Sequence, residues 1–545
     1  MTYDCILFNN HTQDHSKVRG FGAHRISSVL REQGYTCLVV DFVEYVTVQD
    51  YINIIDRAVG DNTVFIGFST MWFPDPALQV TSWRNDDEDH LDFSDLDDWN
   101  HSFTYMTEQR ERLPKSTVGR MLFDNTHDFF FQVAKKKKPD IKILFGGPIS
   151  KVHVKLPKFE LVDNFFAGYS ETQIVDYMKA PDSFDRLVDH DPRAISGAHG
   201  FDFKKNKTTY EDDSFITQNE VLSLELARGC KFKCKFCSFP LVGMKEAASY
   251  IKDPIVFRDE LLENYERFGV TKYSIMDDTF NDDSWKLEQY LNVIRDLPFK
   301  FAFWCYLRGD LLVTKPEQVD MLGEMGLQQA HFGFESFNPE TARCIGKGMH
   351  HERIKEMAYD VKERWKANNP YLQATWILGL PFETTESFEK NTMEWILKED
   401  NPIDLPIINA YQLLPKTEEN SMIYRSVFDN TYEQWGYSFP ELNMPDGRKW
   451  FWRKNDDTDI NSFDDAVDIL NSYKADLDHC QNRRHKMTIY ETAVDWEGYD
   501  DFQSLKKMDT DQTKAWCQQN MPMNRELLFN RSIRGSYVDK LLKSL

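Results

Sequence analysis

Three cysteines lie within eight residues of the sequence, CKFKCKFC, at Cys230, Cys234 and Cys237. Their spacing suits one face of a helix, but Gly229 and the interleaved lysines are poor residues for a helix that packs in a core. A structural zinc site takes four ligands, and no fourth cysteine or histidine stands nearby in sequence. Iron–sulfur clusters are held by thiolates, which neighbouring lysines favour over thiols. We therefore expect a redox cluster. The alternatives are a zinc site that a distant ligand completes and simple packing in a core.

The segment around these cysteines alternates between short apolar runs and helical patterns. Asp253 and Pro254, for example, open one helical pattern as its cap and first turn. Six such strand and helix units predict a parallel barrel, or part of one, whose active groups lie at the carboxyl ends of the strands. The cysteines directly follow the first strand, so they are expected at this rim. The predicted strands are VLSLELA, VTKYSIM, FKFAFWCY, QAHFGFE, YLQATWIL and PIINAYQLL.

The first third of the chain shows the same alternation, with apolar runs such as CILFNN and CLVVDF between helical patterns. It predicts an open parallel sheet with helices on both faces, in which ligands bind beyond the carboxyl ends of the strands. Small residues stand at three of those ends, where they either admit a bulky ligand to the backbone or simply make tight turns. No GxGxxG dinucleotide fingerprint is present. The small residues are Gly67, Ser69, Gly146, Gly147, Gly168 and Ser170.

Length and composition narrow the class of protein. A chain of 545 residues suggests two or three domains, and its apolar and charged fractions, 41% and 28%, are those of a globular protein. The formal net charge of -23 argues against general nucleic-acid binding. The nine cysteines lack the paired spacings of a secreted disulfide framework, and no run of roughly 20 apolar residues predicts a membrane span. We expect a cytoplasmic protein without membrane contact, for which nucleic acid is an unfavoured partner.

The motifs of the middle third occur in an order that resembles the radical S-adenosylmethionine (radical SAM) superfamily, from about 221 to 415. CKFKCKFC has the CxxxCxxC pattern of that family, and four later segments are similar to its barrel loops. The domain before the barrel resembles the cobalamin-binding Rossmann-like domain of a large subgroup, through its GFST, FGGP and GYSE loops. The four barrel segments are MDDTFNDD (276–283), WCYLRGDLL (304–312), HFGFESFNPETARCIGKGM (331–349) and WILGLPFETTESFEKN (376–391).

The resemblance implies an enzyme in which Cys230, Cys234 and Cys237 ligate a 4Fe-4S cluster and S-adenosylmethionine chelates the open iron. The electron would come from an external donor of the flavodoxin or ferredoxin type. Cleavage of S-adenosylmethionine would give a deoxyadenosyl radical that abstracts hydrogen from an unactivated carbon of an organic substrate. The protein itself would supply orientation and a dry cavity.

The resemblance also implies which residues bind S-adenosylmethionine. Two aspartates after the second strand would lie near its amino group or ribose, and an arginine after the third strand near its carboxylate. A glutamate and a serine after the fourth strand would contact the ribose or carboxylate, and a phenylalanine beside the cysteines would shield the cluster and pack on adenine. The acidic residues have a plainer interpretation as helix caps, and the arginine as an ion-pair partner of Asp310. These residues are Asp277, Asp278, Arg308, Glu335, Ser336 and Phe236.

One departure from the family concerns cobalamin. Methylcobalamin carriers place a histidine on cobalt through a DxHxxG motif, whereas the loop here reads NNHTQDHSKVRGFG. His11 and His15 are therefore expected to be ordinary loop residues. We expect cobalamin to bind without a lower histidine, and loss of cobalamin binding is the alternative.

The expected fold class is α/β: a Rossmann-like parallel sheet of the cobalamin-binding type, a partial (β/α)6 TIM-type barrel and a mostly helical C-terminal region. The favoured function is a cobalamin-dependent radical SAM enzyme that methylates an unactivated carbon. The alternatives are a cobalamin-independent rearrangement, oxidation or sulfur insertion, and a non-catalytic metal-binding module. The expected divisions are 1–185 for the first domain with an acidic insertion near 73–130, 186–220 for a linker, 221–415 for the barrel and 416–545 for an aromatic-rich region that caps the substrate pocket.

Overall fold

The computed structural model covers most of the sheet and barrel elements predicted above. Most of the acidic insertion near 73–130 lies outside the described residues, as do His11 and His15. No helix within the described ranges is long and apolar enough to cross a membrane. The described residues are 2–9, 18–43, 46–69, 127–147, 150, 154, 159–189, 198–237, 250–415, 426–440, 452–456, 458–477, 480 and 537–545.

The first domain is built on a parallel sheet of short apolar strands. The strands are β1 (Cys5–Phe8), β2 (Cys37–Val40), β3 (Phe65–Ser69), β4 (Lys142–Gly146), β5 (Asn164–Ala167) and β6 (Leu187–Asp189). Within the described residues these six strands lie in the order β2-β1-β3-β4-β5-β6, and their pairings are parallel. Strands β1 to β5 are largely buried, as expected for a sheet that helices cover on both faces.

The last strand of this sheet lies inside the expected linker. The sequence prediction ended the sheet at DNFFAGYSE and assigned residues 186–220 to a linker. The structure instead pairs β6 with β5 in parallel register, Phe165 opposite Leu187. The strand was missed because it has three residues, none of them buried, so it carries almost no apolar pattern.

Four helices flank this sheet in the described residues. The second of them begins with a capping box, in which the Asp50 N–H donates to Thr47 Oγ1 and the Thr47 N–H donates to Asp50 Oδ2, each at 3.1 Å. The third ends in a run of lysines that complements the helix dipole. The helices are α1 (Phe21–Glu32), α2 (Val48–Ala58), α3 (His127–Lys137) and α4 (Glu171–Lys179).

The second domain is the predicted partial barrel. Its strands are β7 (Val221–Leu224), β8 (Lys272–Ile275), β9 (Ala302–Leu307), β10 (Leu327–Glu335), β11 (Tyr371–Leu378) and β12 (Leu405–Ala410). In the described part of the chain these six strands pair in sequence order, all in parallel. Two parallel sheets with intervening helices confirm the α/β class.

The helices between these strands begin at polar caps that the sequence largely revealed. Asp253, Asp283 and Asn338 each accept a backbone N–H of the first helical turn, at 2.8 to 2.9 Å. Residues Glu389–Met393 form a π-helical turn between the last two helices. The helices are α5 (Pro254–Phe268), α6 (Ser284–Arg295), α7 (Gly309–Thr314), α8 (Glu317–Met325), α9 (Pro339–Ile345), α10 (His351–Arg364), α11 (Thr385–Phe388) and α12 (Glu394–Ile396).

Beyond the barrel, several short elements pack against its last strands. Trp452 Nε1 donates to the Tyr411 carbonyl at 2.8 Å, and Tyr437 Oη donates to the Gly379 carbonyl at 2.7 Å. Gly379 has a φ of 95°, and a Cβ there would lie 2.7 Å from the Trp452 ring. These elements are α13 (Val427–Thr431), β13 (Tyr437–Ser438), β14 (Arg453–Lys454) and α14 (Phe463–Ser472).

The final helix, α15 (Asp539–Ser544), packs on the first domain. Tyr537, Val538 and Leu541 are buried in that domain's apolar core, close to α2. The expected barrel cap at 416–545 therefore divides: its described residues between 427 and 477 lie on the barrel, whereas those from 537 onward lie on the first sheet.

We expect Tyr537→Phe to lower the free energy of unfolding by about 1–3 kcal/mol, because the Tyr537 hydroxyl satisfies two buried backbone groups. It accepts the Asp41 N–H at 2.8 Å and donates to the Val39 carbonyl at 3.2 Å. Urea unfolding of the variant and the parent measures the difference. Tyr473→Phe, which removes a hydroxyl from an exposed contact with Glu389, is the control and should change little. Equal stability of the Tyr537 variant and the parent would show that this docking contributes nothing.

Candidate functional site

The three cysteines lie on the loop that follows β7, at the carboxyl rim of the barrel. Cys230 Sγ is 3.5 Å from Thr279 Oγ1, on the loop after β8. Cys234 is buried, and its sulfur accepts a hydrogen bond from the Arg308 guanidinium at 3.2 Å. The Cys237 N–H donates to the Cys234 carbonyl at 3.2 Å, which folds the loop into a turn. Burial raises the pKa of the Cys230 thiol.

This loop is fixed to the barrel on both sides. The Lys235 N–H donates to the Ile345 carbonyl at 3.2 Å, and the Lys235 carbonyl accepts the Phe428 N–H at 3.0 Å. The Arg308 guanidinium also stacks over the Phe232 ring at 4.0 Å. The backbone that carries the cysteines is therefore positioned by β9, α9 and the segment after the barrel.

The donor chemistry of the loop fits an iron–sulfur cluster. Three reduced thiols on one turn are the ligand type that such clusters take, and the Arg308 guanidinium lies beside Cys234. Among the described residues, no three ligating side chains are yet gathered closely enough to hold a metal ion. The hydrogen bonds of Lys235 hold the loop backbone against the barrel.

The two aspartates after β8 lie in different environments. Asp277 is buried, and its carboxylate accepts from Lys286 Nζ on α6 at 2.7 Å and from the Thr279 N–H at 3.0 Å. Both of its carboxylate oxygens are therefore engaged within the protein. Asp278 is half-buried, and its backbone carbonyl accepts the Thr279 hydroxyl at 2.7 Å. Burial raises the pKa of Asp278 to about 7.

Arg308 contacts both Asp310 and the cysteine loop. Its guanidinium makes a two-point ion pair with Asp310, at 3.0 and 2.7 Å, which is the plainer of the two interpretations. The same side chain reaches Cys234 Sγ, so it lies in direct contact with the cysteine loop. It is oriented by Asp310 for that contact.

Glu335 and Ser336 are held by partners that the sequence did not single out. Glu335 adopts a left-handed backbone with φ 66° and pairs with Lys347 Nζ at 2.9 Å. Ser336 donates its hydroxyl to Glu383 and accepts the Asn338 N–H at 3.0 Å. Burial raises the pKa of Glu383 to about 7. A strained backbone at a strand end is common at ligand sites, and that signal is visible only in the structure.

Phe236 lies half-buried against the barrel core, beside the cysteine loop. Its ring is 5.8 Å from Lys347 Nζ, the same ammonium that pairs with Glu335. The carboxyl end of β10 and the cysteine loop therefore meet at this lysine.

Five of the six small residues of the first domain lie at or just beyond the carboxyl ends of its strands. Ser69 and Gly146 are paired at the ends of β3 and β4, and a Cβ on Gly146 would meet nothing within 4 Å. Gly147 and Gly168, with φ of 134° and 84°, turn the backbone away from the sheet. Ser170 donates its hydroxyl to the Gly168 carbonyl at 3.3 Å. Among the described residues, space therefore remains at the carboxyl edge of the sheet beside Gly146.

Gly67 belongs to a different environment, inside β3. A Cβ at this position would lie 2.7 Å from the Leu7 side chain on β1. Gly67 therefore allows the close approach of the Leu7 side chain to β3.

A buried ion cluster joins the open edge to the cysteine loop. Arg228, two residues before Cys230, pairs with Glu171 at the start of α4 and, at 2.8 Å, with Glu225. Its guanidinium lies 3.9 Å above the Tyr169 ring, in the loop after β5. Sequence reasoning missed this cluster because its members are distant in the chain. The edge of the first sheet and the cysteine rim are held against each other through Arg228.

Comparison with known proteins identifies the barrel. The family model of the radical SAM superfamily matches residues 224–394. A bacteriochlorophyllide d C-12(1)-methyltransferase of Chlorobaculum tepidum is 24% identical over 226 residues, which are 41% of this chain and 47% of that protein. An uncharacterised methyltransferase of Pyrococcus horikoshii is 22% identical over 285 residues, 47% of this chain and 58% of that protein. The chain thus spans about half the length of the curated relatives it matches.

Solved structures show that the fold extends over both domains. The radical S-adenosylmethionine methyltransferase TsrM of Kitasatospora setae, solved with cobalamin and a [4Fe-4S] cluster, superposes with a TM-score of 0.51 at 14% identity, over 82% of this chain and 81% of TsrM. The cobalamin-dependent radical enzyme OxsB superposes with a TM-score of 0.53 at 12% identity, over 98% of this chain and 75% of OxsB. Residues 224–394 therefore match the radical SAM superfamily, and the two-domain fold is similar to the folds of TsrM and OxsB.

Proposed function

We propose that this enzyme binds cobalamin and a 4Fe-4S cluster and methylates an unactivated carbon of an organic substrate. The observation that carries the proposal is the buried contact of Arg228 with Glu171 and Tyr169, which brings the open edge of the first sheet to the cysteine rim. The C-methyltransferase among the sequence relatives and the cobalamin in TsrM and OxsB support it.

In this proposal Cys230, Cys234 and Cys237 hold the cluster. Arg308 donates a hydrogen bond to Cys234 Sγ, and Asp310 orients that guanidinium. When bound, the cluster supplies the electron that cleaves S-adenosylmethionine, and cobalamin carries the methyl group. An external flavodoxin- or ferredoxin-type protein would reduce the cluster.

Asp278 is the aspartate of the pair that we assign to S-adenosylmethionine. Its carboxylate forms no ion pair within the described residues, whereas Asp277 is neutralised by Lys286. A carboxylate in that position can accept from the amino group or from a ribose hydroxyl. Glu335, held by Lys347, offers a second acceptor at the rim, and Phe236 provides an apolar surface beside the cysteines.

The corrinoid is assigned to the edge formed by Ser69, Gly146, Gly147, Gly168 and Ser170. The open space above Gly146 admits a bulky planar ring close to the backbone. Tyr169 would lie between this ring and the rim of the barrel.

Anaerobic reconstitution with iron and sulfide, with and without hydroxocobalamin, tests the proposal. After reduction, chromatography would measure deoxyadenosine and S-adenosylhomocysteine formed from S-adenosylmethionine. We expect cobalamin to remain bound through gel filtration and S-adenosylhomocysteine to form only in its presence. Deoxyadenosine without any retention of cobalamin would instead support the cobalamin-independent radical chemistry.

A further inference from the structure

The inner face of the barrel sheet carries a band of uncharged side chains. On the outer face, residues such as Phe332 and Trp376 pack against the helices, so the residues that alternate with them face inward. The register sets Tyr306 beside His331, and His331 beside Gln373. The inward residues nearer the carboxyl rim are Gly333, Thr375, Ile377, Ile407 and Asn409.

The barrel is closed beneath this band. Trp304, one inward position below Tyr306 on β9, packs with Val18, Val221 and Ala302 in a small buried cluster. Val18 comes from the first domain and bridges to Val221 on β7. The inner face therefore forms a cup, with Trp304 as its floor and Tyr306 on its wall.

Solvent reaches the wall of the cup. Tyr306 is 40% exposed, yet burial by the surrounding protein raises its pKa. His331 is half-buried, and burial lowers its pKa to about 4, so it is uncharged near neutral pH. Side chains that solvent reaches but that protein surrounds lie in a cavity.

Aromatic rings and an uncharged amide line the cup. Tyr306 stands edge-on to Trp304 at 4.6 Å and to His331 at 5.0 Å between ring centroids, which holds its ring in place. The Asn409 amide, across the cup, makes no hydrogen bond within the described part of the chain. Among the described residues, the charged side chains at the rim include Asp278, the Glu335–Lys347 pair and Glu225, which pairs with Arg228 at 2.8 Å.

The cup opens beside the cysteine loop. The Phe280 N–H donates to the Tyr306 carbonyl at 3.0 Å, and the preceding residue, Thr279, contacts Cys230 Sγ at 3.5 Å. A molecule stacked on Tyr306 would therefore lie next to the site that we assign to the cluster and S-adenosylmethionine.

We infer that this cup is the substrate site and that it selects an uncharged, planar aromatic compound with hydrogen-bonding groups, which stacks on Tyr306 and bonds to the Asn409 amide. That the occupant is a substrate rests on the proposed function. A charged ring would lose hydration in the cup without gaining an ionic partner, and a saturated ring would lose the stacking contact.

Indole, a neutral planar ring with one N–H donor, is a suitable probe. Saturation-transfer NMR and equilibrium dialysis with the reconstituted full chain would measure its dissociation constant. We expect binding by the wild type and a roughly two- to tenfold weaker affinity for Tyr306→Ala. Trp285→Ala, which removes a 55% exposed aromatic residue on the outside of α6, is the matched control and should bind as the wild type does. Indole-3-acetate, which adds a negative charge, should bind more weakly than indole.

Absence of indole binding by the wild type overturns the inference. So does equal affinity of the wild type and Tyr306→Ala, or tighter binding of indole-3-acetate than of indole. Because the titration needs no turnover, these results do not depend on cleavage of S-adenosylmethionine. A failure of the proposed function would appear instead in the reconstitution assay, which contains no indole.

Discussion

Replacing Cys230, Cys234 and Cys237 together by alanine is expected to abolish iron retention and cleavage of S-adenosylmethionine, because the variant has no thiolates on the rim loop. Removal of a ligand set eliminates the cluster rather than weakening it, so iron content and deoxyadenosine should both fall to the level of a blank without protein. Iron analysis after anaerobic reconstitution and product chromatography measure the two effects.

A matched variant separates loss of the cluster from general damage. Cys344→Ala removes a half-buried cysteine on the nearby helix α9, where Ile345 holds the cysteine loop through its carbonyl. It should retain iron and activity. Iron binding by the triple variant at the wild-type level, with continued deoxyadenosine formation, would show that the ligands lie elsewhere in the chain.

Arg228→Met is expected to lower the free energy of unfolding by about 3–5 kcal/mol, because buried Glu171 loses its ion-pair partner and Glu225 keeps only the more distant Arg25, at 3.6 Å. The Arg228 side chain is 1% exposed, and its partners Glu171 and Glu225 are 5% and 10% exposed. Methionine keeps most of the side-chain volume, so the effect reports the charge. Urea unfolding measures the loss, and limited proteolysis between the domains should become faster.

Two further variants test the physical cause of that loss. Arg228→Met combined with Glu171→Gln should recover part of the stability, since one unpaired charge is removed with the partner. Lys366→Met breaks an ion pair with Glu363 whose side chains are 70% and 71% exposed, so it should cost less than about 1 kcal/mol. A cost for Arg228→Met no larger than that of Lys366→Met would exclude the buried cluster as a stabilising junction.

Most of the barrel could be predicted because its strands are apolar runs with clear boundaries. The run YLQATWIL coincides with β11 from Tyr371 to Leu378, and Asp253 and Asn338 cap helices as their positions indicate. Strand β6 could not be found this way, because three half-buried or exposed residues carry no period. A strand can be predicted from its apolar pattern only where its side chains are buried, and the residues of this edge strand are not buried.

The candidate site was predicted at the level of loops rather than of side-chain roles. The separate environments of Asp277 and Asp278 follow from strand alternation, since Asp277 shares the parity of the outward-facing Tyr273 and Ile275. This alternation could have been recognised in the sequence. The pairing of Arg228 with Glu171, 57 residues apart, could not have been predicted, because it depends on how two domains dock.

The docking of Tyr537 and Leu541 into the first domain bears on how the protein is synthesised. Residues of the first sheet emerge from the ribosome early, but part of the apolar core that covers them is encoded after the whole barrel. At about 5–20 residues per second, tens of seconds separate the two events. Part of the apolar core of the nascent first domain therefore stays exposed until the barrel has been synthesised and the C-terminal helix can pack on it.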